Sequence, residues 1–444
     1  MNFTQQFKQH LEQNRLFNTT DRLVVAVSGG VDSIVLCFLL RELGFPIKIV
    51  HVNFQLRGEE SNRDEQFVKS WADQNQIPYL IKRFNTLEYS KEHGVSIQVA
   101  ARELRYSWFF EVLEREQQFG PSYLVTAHHR DDSIETLLMN LFKGTGIAGL
   151  RGIQAKQGKL IRPLLFASKE EIEAFAKEKK LSWVEDSSNA ESKYTRNYVR
   201  LEIIPAIKNR FPKFADQISA TIANLTDAHI LYEQAVGAHL KKLVSKHKDE
   251  YHLPVLLLKQ TVPLKTVLYE FVKDFGFLSS QLDDLLNLLD ADTGKWVSSP
   301  THRMIRHRNK LILAPLAEKA NATQVLDEIP GRKILPVGIL EATISNKHGE
   351  IEQDQKIACL DAKKLEFPLV IRPWKQGDYF YPLGMNKKKK LNRFLIDQKL
   401  SVTEKEQVWV VSSAERIIWV IGHRIDHRFR INEDTKTVLK LSIQ

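Results

Sequence analysis

The stretch that decides the fold of the first domain is LVVAVSGGVDS, residues 23–33. Its first five residues are apolar and mostly β-branched, which is typical of a buried parallel strand. The strand pattern stops at Ser28, and an apolar run over residues 34–40 predicts a helix packed on a sheet. Gly29 and Gly30 allow backbone N–H groups to converge on one point, beside the positive end of the helix dipole. A strand, a glycine turn and a helix start together predict a phosphate site.

Further strands and helices alternate after this loop. Strands are predicted at 46–54, 77–84 and 123–127, and helices at 57–74, 96–118 and 131–142. Strands that alternate with helices predict an α/β domain with a doubly wound parallel sheet. Ligands of such sheets bind beyond the carboxyl ends of the strands, where the polar motifs of this chain fall. We therefore expect one site that is built from several strand ends.

The loop itself supplies the candidate nucleotide-binding residues. These are Ser28, Gly29, Gly30, Val31, Asp32 and Ser33. The loop is too short for the G-x-x-x-x-G-K-[ST] pattern and lacks the lysine of that pattern. The alternative is an ordinary strand–turn–helix corner that contains glycines. His51, on the second strand, is either a nucleotide contact or a hydrogen-bonded core histidine.

Two further segments carry charges that suit a phosphorylated ligand. Arg102 and Arg105 share one face of a predicted helix, and two arginines on one face suit phosphates unless they form a solvated basic stripe. In HHRDDSIET, residues 128–136, Asp132 lies opposite the apolar face of the next helix and Glu135 lies on its flank. These carboxylates either hold Mg²⁺ beside ATP or cap the helix.

Composition limits the class of protein. A chain of 444 residues is expected to form two or three domains. Its net charge of +10 suggests a polyanionic partner, although a soluble basic protein without one has the same charge. Its two distant cysteines argue against a disulfide framework or a zinc cluster. A polar N-terminus and the lack of a long apolar run predict a cytoplasmic protein that does not enter a membrane.

The pattern divides the chain into four parts. Residues 1–210 are predicted to form the α/β catalytic domain, 211–330 a mainly helical domain, 331–365 a linker, and 366–444 a small α+β domain. No strands are expected between 212 and 290. In the last domain, four lysines and an arginine lie among aromatic residues: Lys387, Lys388, Lys389, Lys390 and Arg393. They are either a solvated surface run or an electrostatic footprint for a nucleic-acid backbone.

These motifs carry a family resemblance. SGGVDS resembles the S-G-G-x-D-S loop of the ATP pyrophosphatase, or PP-loop, family, which cleaves ATP between the α- and β-phosphates. The pattern H-x-x-D-D-x-x-E-T in residues 128–136, and EDSSN (185–189) followed by RNYVR (196–200), resemble tRNA(Ile)-lysidine synthases. The resemblance covers the first 210 residues and residues 370–430. One departure is Phe54, where these enzymes typically carry a second histidine.

The resemblance implies a ligase reaction in two steps. The O2 of the wobble cytidine in the CAU anticodon of tRNA(Ile) attacks the α-phosphate of ATP, giving an adenylated base and pyrophosphate. Free L-lysine then attacks C2 through its ε-amine and expels AMP, giving lysidine, so that codon reading changes from AUG to AUA and charging from methionine to isoleucine. ATP and Mg²⁺ are the implied cofactors, and the oligomeric state is open, with a homodimer as one option.

The resemblance also implies roles for particular residues. The catalytic set is Asp32, Asp132, Glu135, Arg102, Arg105 and Arg196. Asp132 and Glu135 are implied either to hold Mg²⁺ or to orient the lysine amine, and Asp32 is implied to contribute to the metal or pyrophosphate site. The set for tRNA or lysine is Glu185, Asp186, Asn189 and Arg200, together with residues 387–390 and Arg393. Both domains after residue 210 are implied to bind tRNA. The rival hypotheses are tRNA thiolation, which usually needs paired cysteines, and a non-catalytic RNA-binding protein that senses ATP.

Overall fold

The computed structural model describes residues 1–185, 195–316, 323–346 and 354–444, which divide into two compact units, Met1–Glu233 and Gln234–Gln444. The strands of the first unit are β1 (Arg22–Ala26), β2 (Ile47–Asn53), β3 (Tyr79–Arg83), β4 (Ser122–Val125), β5 (Lys156–Gln157) and β6 (Leu160–Ile161). Its helices are α1 (Phe3–Gln13), α2 (Val31–Glu42), α3 (Glu59–Gln74), α4 (Thr86–His93), α5 (Ile97–Gln117), α6 (Arg130–Lys143), α7 (Lys169–Glu178), α8 (Thr195–Tyr198) and α9 (Ile204–Arg210). The helix α10 (Phe214–Leu243) runs from the first unit into the second.

The first unit is built on one sheet with the strand order β3-β2-β1-β4-β6-β5. All neighbouring strands run parallel except β5, which is antiparallel to β6. The chain moves outward from β1 to β3 and then returns to place β4 on the other side of β1. The strand order therefore reverses beside β1, where doubly wound sheets bind their ligands. This topology confirms the predicted parallel sheet.

Both faces of the sheet are buried. Val25 belongs to a core shared with α1, α2 and α7, whereas its neighbour Val24 packs with Trp108 and Val112 of α5. Alternate residues of one strand thus contact opposite helical layers, as the continuous apolar run predicts. The structure adds elements that were not predicted, among them α4, β5 and β6. The strands β5 and β6 have two residues each, too few to leave a periodic pattern.

A buried carboxylate joins the carboxyl ends of β2 and β3. The Glu65 side chain of α3 accepts hydrogen bonds from Nε of Arg83 at 2.7 Å and from Nδ2 of Asn53 at 2.9 Å. Hydrogen bonds from Arg83, Asn53 and Lys69 lower the pKa of Glu65 to about 2, although burial alone would raise it. Since Asn53 and Arg83 end their strands, Glu65 fixes the edge of the sheet at which ligands bind.

The second unit contains antiparallel sheets and short helices. Its strands are β7 (Ser245–His247), β8 (Glu250–Pro254), β9 (Trp296–Ser298), β10 (His302–His307), β11 (Lys310–Pro315), β12 (Gln324–Leu326), β13 (Gly331–Leu335), β14 (Gly338–Asn346), β15 (Ile357–Asp361), β16 (Leu369–Pro373), β17 (Tyr379–Phe380), β18 (Lys389–Lys390), β19 (Trp409–Ser413), β20 (Arg416–Val420), β21 (Arg424–Ile425) and β22 (Thr437–Ile443). Its further helices are α11 (Val255–Lys259), α12 (Leu264–Val272), α13 (Leu282–Asn287), α14 (Leu391–Asp397) and α15 (Val402–Glu406). Among the helices described in either unit, none is long and apolar enough to cross a membrane.

The middle region is helical from α10 to α13, as predicted, but it also contains a sheet. The strands β7 and β8 form a hairpin that extends the sheet to β7-β8-β11-β10-β9. The prediction of no strands between 212 and 290 is therefore wrong. The hairpin sequence SKHKDEYHLP, residues 245–254, is polar at most positions, so its strands carry no apolar alternation.

The prediction of a linker at 331–365 is also wrong for the residues described there. The strands β13, β14 and β15 form a sheet with β22, the last strand of the chain, in the order β13-β14-β22-β15. Leu340 and Leu360 of these strands are buried in the same core as Leu441 of β22. The C-terminal domain thus begins well before residue 366. The sequence of residues 331–365 is polar overall. The pairing with β22 is a long-range contact that local patterns do not reveal.

We predict that Glu65→Gln destabilises the protein and makes its unfolding free energy depend less on pH in the acid range. Loss of the charged hydrogen bonds should cost about 2 kcal/mol of unfolding free energy near neutral pH. Because the pKa of Glu65 is depressed in the folded state, its contribution is present above the ordinary value of 4.5 and disappears as the pH falls towards about 2. Urea unfolding at several pH values tests this. Glu114→Gln, at an exposed site on α5, is the control. Equal pH profiles for both variants would contradict the prediction.

Candidate active site

The turn between β1 and α2 has the geometry of an anion site. Gly29 has a φ of +96°, which residues with a side chain rarely adopt. The hydroxyl of Ser28 accepts the Gly30 N–H at 3.3 Å, and the Ser33 hydroxyl donates to the Gly30 carbonyl at 2.8 Å. These bonds hold the glycine turn in place. In the first turn of α2 the Ser33 N–H donates to the Gly30 carbonyl at 3.1 Å. The first N–H groups of a helix in general lack acceptors within the helix and suit phosphate oxygens.

His51 lies on β2 and is 4% exposed. Its Nδ1 donates to the carbonyl of Val27 at 2.8 Å, while its buried Nε2 has no hydrogen-bond partner among the described residues. Burial lowers the pKa of His51, so the ring is neutral at pH 7 and Nε2 is an acceptor. The bond to Val27 gives His51 a structural role, and the open Nε2 leaves it one acceptor for a ligand.

The two predicted carboxylates of α6 face two arginines. Glu135 is 1% exposed and Asp132 is 9% exposed. Arg196 donates from Nε to Glu135 and from Nη2 to Asp132, each at 2.7 Å. Arg200 donates from Nε to Glu135 at 2.5 Å and from Nη2 to Asp132 at 3.3 Å. Two guanidinium groups therefore bridge both carboxylates. We name these four residues the carboxylate–arginine cluster.

The backbone brings both arginines to α6. Arg196 lies in α8, and Arg200 lies in the π-helical turn Val199–Ile203 that continues it. Residues four apart on a helix are neighbours on one face, so both guanidinium groups point to the same surface. Val199 is buried with Ile134 and Leu138 of α6, and this apolar contact anchors the turn. Single π turns are frequent at functional sites.

Electrostatics keep Asp132 ionised. Burial alone would raise the pKa of Asp132, but the charges of His129 and Arg196 and the His129 N–H, which donates at 3.0 Å, lower it below the usual range. Burial also lowers the pKa of the neighbouring His128 to about 4, so this ring is neutral at pH 7. Asp132 is thus a stable anion and a weak base.

The carboxylate–arginine cluster and the phosphate loop both lie after the carboxyl ends of neighbouring parallel strands, β4 and β1. Burial alone would lower the pKa of Arg200, whereas its bond to Glu135 and the charges of Glu135, Asp132 and Asp32 raise it. Asp32 of the loop therefore acts electrostatically on Arg200. Asp32 is itself bound by Lys169, whose Nζ donates to both carboxylate oxygens at 2.8 and 2.9 Å. Lys169 was not predicted, because the capping residues Ser168 and Glu171 indicate where α7 begins but not what its first residue contacts.

Three further arginines include the predicted Arg102 and Arg105 of α5. The Arg102 guanidinium lies over the ring of Tyr106 at 4.9 Å, and that of Arg105 lies over the ring of Phe54 at 5.1 Å. Arg162 is buried, and burial lowers its pKa. The charge of Arg102 also acts on Arg162. Phe54, at the position where the resembled enzymes carry histidine, thus stacks with an arginine.

The remaining predicted site residues differ in their surroundings. Glu185 is exposed, whereas Asp186 and Asn189 lie outside the described residues. In the second unit, Lys387, Lys388 and Lys390 are exposed. In contrast, Lys389 forms an ion pair with Asp397 at 2.8 Å, and Arg393 lies 3.6 Å from the same carboxylate. Lys388 also lies over the ring of Tyr379 at 5.2 Å.

The comparisons with known proteins define the class of the chain. Residues 1–207 match the family model of the PP-loop domain. Residues 246–316 match the TilS substrate binding domain, and residues 369–442 match the TilS substrate C-terminal domain. The first unit is therefore an ATP-utilising PP-loop domain, and the resemblance in its loop is confirmed.

Full-length relatives identify the family within this class. The chain is 39% identical to the tRNA(Ile)-lysidine synthase of Parabacteroides distasonis, over 97% of each protein. It is 37% identical to the enzyme of the same name from Bacteroides thetaiotaomicron, also over 97% of each. A third, from Porphyromonas gingivalis, is 32% identical over 100% of this chain and 99% of the relative. The chain belongs to the tRNA(Ile)-lysidine synthase family.

We predict that Glu135→Gln lowers the unfolding free energy by about 3 kcal/mol, because both arginines lose a buried charge partner. In the Glu135→Gln background, Arg200→Met should lower the unfolding free energy by less than it does in the wild type, since the charged contact between the two residues is already lost. Urea unfolding of the four proteins in the cycle measures this coupling. Glu202→Gln, at an exposed site two residues after Arg200, is the control and should change stability little. If the losses of unfolding free energy caused by Glu135→Gln and Arg200→Met were additive, the two side chains would not interact as the carboxylate–arginine cluster requires.

Proposed function

We propose that the chain is the ligase that joins free L-lysine to C2 of the wobble cytidine of tRNA(Ile), with ATP as the activating substrate. The observation that carries the proposal is the carboxylate–arginine cluster beside the phosphate loop, in a chain of this family. The loop supplies a place for phosphates, and the cluster supplies both signs of charge next to it. The reaction needs both, because its leaving group is an anion and its second substrate is a cation.

The first step requires charge stabilisation on pyrophosphate. The O2 of the cytidine forms a bond to the α-phosphorus, and the bond from that phosphorus to the bridging oxygen of pyrophosphate breaks. The N–H groups of the loop are fixed donors that suit the developing negative charge. We assign the stabilisation of the same charge also to the exposed guanidinium groups of Arg102 and Arg105 and to that of Arg196, whose side chain is 39% exposed and whose Nη2 donates to Asp132.

Mg²⁺ fits one part of this site better than the other. All four carboxylate oxygens of Asp132 and Glu135 accept hydrogen bonds from Arg196, Arg200 or the His129 N–H. A metal ion on this pair competes with both arginines for the oxygens of Glu135. Asp32, at the phosphate loop, would hold Mg²⁺ more readily, because its partner Lys169 is one partly exposed ammonium group that a polyphosphate can take over. When bound, the ion neutralises charge on the polyphosphate.

The second step requires a bound lysine whose ε-amine has lost its proton. Asp132 and Glu135 present acceptors that suit an ammonium group as well as a guanidinium group. Because the pKa of Asp132 is lowered, this carboxylate suits the orientation of an ammonium group better than the removal of its proton. The amine attacks C2 and forms a C2–N bond, and the C2–O2 bond breaks. O2 leaves with the bonding electron pair as an oxygen of AMP, and the amine proton is lost to solvent.

Two rivals explain the site less well. Sulfur transfer to tRNA uses reactive thiols, but Cys37 is fully buried and burial raises the pKa of its thiol. A protein that only binds RNA and senses ATP has no use for two buried carboxylates, which cost desolvation energy, next to the phosphate loop.

The proposed substrates place the reaction in the cytoplasm. A homodimer remains a proposal that light scattering would test.

We predict that the purified protein incorporates labelled lysine into unmodified tRNA(Ile), with ATP and Mg²⁺, in a form that resists mild alkali. Resistance to alkali excludes an aminoacyl ester. Asp132→Ala should lower the rate at least 100-fold, because it removes an acceptor for the lysine ammonium and leaves Arg196 without one of its partners. Glu202→Ala is the control variant. If the wild type forms AMP and pyrophosphate with tRNA but incorporates no lysine, the nucleophile is not lysine.

We predict that reversing the three exposed lysines, Lys387→Glu, Lys388→Glu and Lys390→Glu, weakens tRNA binding and leaves ATP binding unchanged. Removing up to three phosphate contacts should reduce the slope of log K against log salt by up to about 3. Filter binding at several salt concentrations measures this slope. Reversing Lys177, Lys179 and Lys180 at the end of α7 changes the net charge equally and is the control. Unchanged modification of tRNA(Ile) would contradict a role for the lysines.

A further inference from the structure

Lys169, the first residue of α7, places an ammonium group at the phosphate loop. Its Nζ lies 2.8 and 2.9 Å from the two carboxylate oxygens of Asp32. Asp32 belongs to the first turn of α2, directly after the glycine turn. Nucleotide loops of the G-x-x-x-x-G-K-[ST] type carry a lysine within the loop. The loop of this chain has none, so Lys169 brings a lysine to the loop from a segment 137 residues away in sequence.

The backbone of Lys169 is held by three contacts. Ser168 caps α7 by accepting the Glu171 N–H at 3.2 Å. The Lys169 N–H donates to Asp131 of α6 at 2.7 Å, and the Arg130 N–H donates to the Ala167 carbonyl at 2.8 Å. The starts of α6 and α7 are thus joined. Asp131, the first carboxylate of the motif in residues 128–136, therefore has a structural role here.

The Asp32–Lys169 pair is exposed enough to exchange partners. The Asp32 side chain is 26% exposed and that of Lys169 is 39% exposed. An ion pair with this exposure contributes about 1 kcal/mol or less, so a polyphosphate can replace the carboxylate as the partner of the ammonium group. In contrast, the carboxylates of the carboxylate–arginine cluster are buried. Without Lys169, the charge of Asp32 would repel any anion at the loop.

We infer that Lys169 is a further phosphate-binding residue of the site, which binds the β- and γ-phosphates of ATP and then pyrophosphate. The inference rests on the proposed use of ATP and names the residue that holds the leaving group. On ligand binding, the ammonium group moves from Asp32 to the phosphate oxygens and remains protonated. AMP lacks these phosphates, so Lys169 should discriminate between pyrophosphate and AMP.

The test measures equilibrium binding by calorimetry on the full chain. The ligands are α,β-methylene ATP, pyrophosphate and AMP. Lys169→Met, which keeps much of the side-chain length without the charge, should weaken pyrophosphate and the ATP analogue about tenfold or more and AMP less than twofold. Lys169→Arg should restore most of the affinity. Lys177→Met, on an exposed position two turns further along α7, should bind all three ligands as the wild type does.

Each outcome decides the inference. Equal weakening of all three ligands by Lys169→Met, or no weakening of pyrophosphate, would show that Lys169 only supports the structure. Failure of Lys169→Arg to restore affinity would likewise show a structural role alone. If pyrophosphate binding depends on Lys169 while the wild type forms no lysidine, the inference stands and the proposed function fails. A wild type that binds none of the three ligands would overturn both.

Discussion

The site depends on keeping the charge of Glu135 inside the protein. A carboxylate that is 1% exposed pays a large desolvation cost unless charged donors surround it. Those donors come from Arg196 and Arg200, more than sixty positions further along the chain. The helix α6 and the segment from α8 through the π turn are therefore coupled. If either side is removed, the buried carboxylates lose their charged donors and the arginines lose their acceptors.

The two halves of the site differ in how firmly their charges are held. The carboxylate–arginine cluster is buried on its acidic side and joined by bonds that share acceptors, so loss of one member affects the others. The Asp32–Lys169 pair is partly exposed and linked through a single ammonium group. A ligand can therefore replace Asp32 as the partner of Lys169 at a small cost in free energy, whereas the carboxylate–arginine cluster resists rearrangement. This contrast suits a site in which polyphosphate enters and leaves beside a fixed framework.

The sequence predicted the parts of the first unit that local patterns encode. The long apolar strands, the glycine turn and the two carboxylates of α6 each have a periodic or compositional signature, and each was found where expected. The partners of Asp132 and Glu135 were not predictable, since helix geometry shows which face a residue occupies but not what lies opposite. Lys169 was missed for the same reason. In the second unit, residues 331–365 were predicted to be a linker, because the pairing of β14 and β15 with β22 is a long-range contact that local patterns do not encode.

Charge balance in the cluster links the two proposed steps. Two carboxylates and two guanidinium groups sum to zero, so the ammonium group of a substrate lysine adds an excess positive charge to a partly desolvated site. An anion on the adjacent loop offsets that excess, and burial makes the compensation stronger than it would be in water. Lysine should therefore bind more tightly when polyphosphate or the adenylate is present than to the empty protein. The charges therefore balance when the phosphate ligand binds first and lysine second. The reaction has the same order, because the base is activated before the amine attacks.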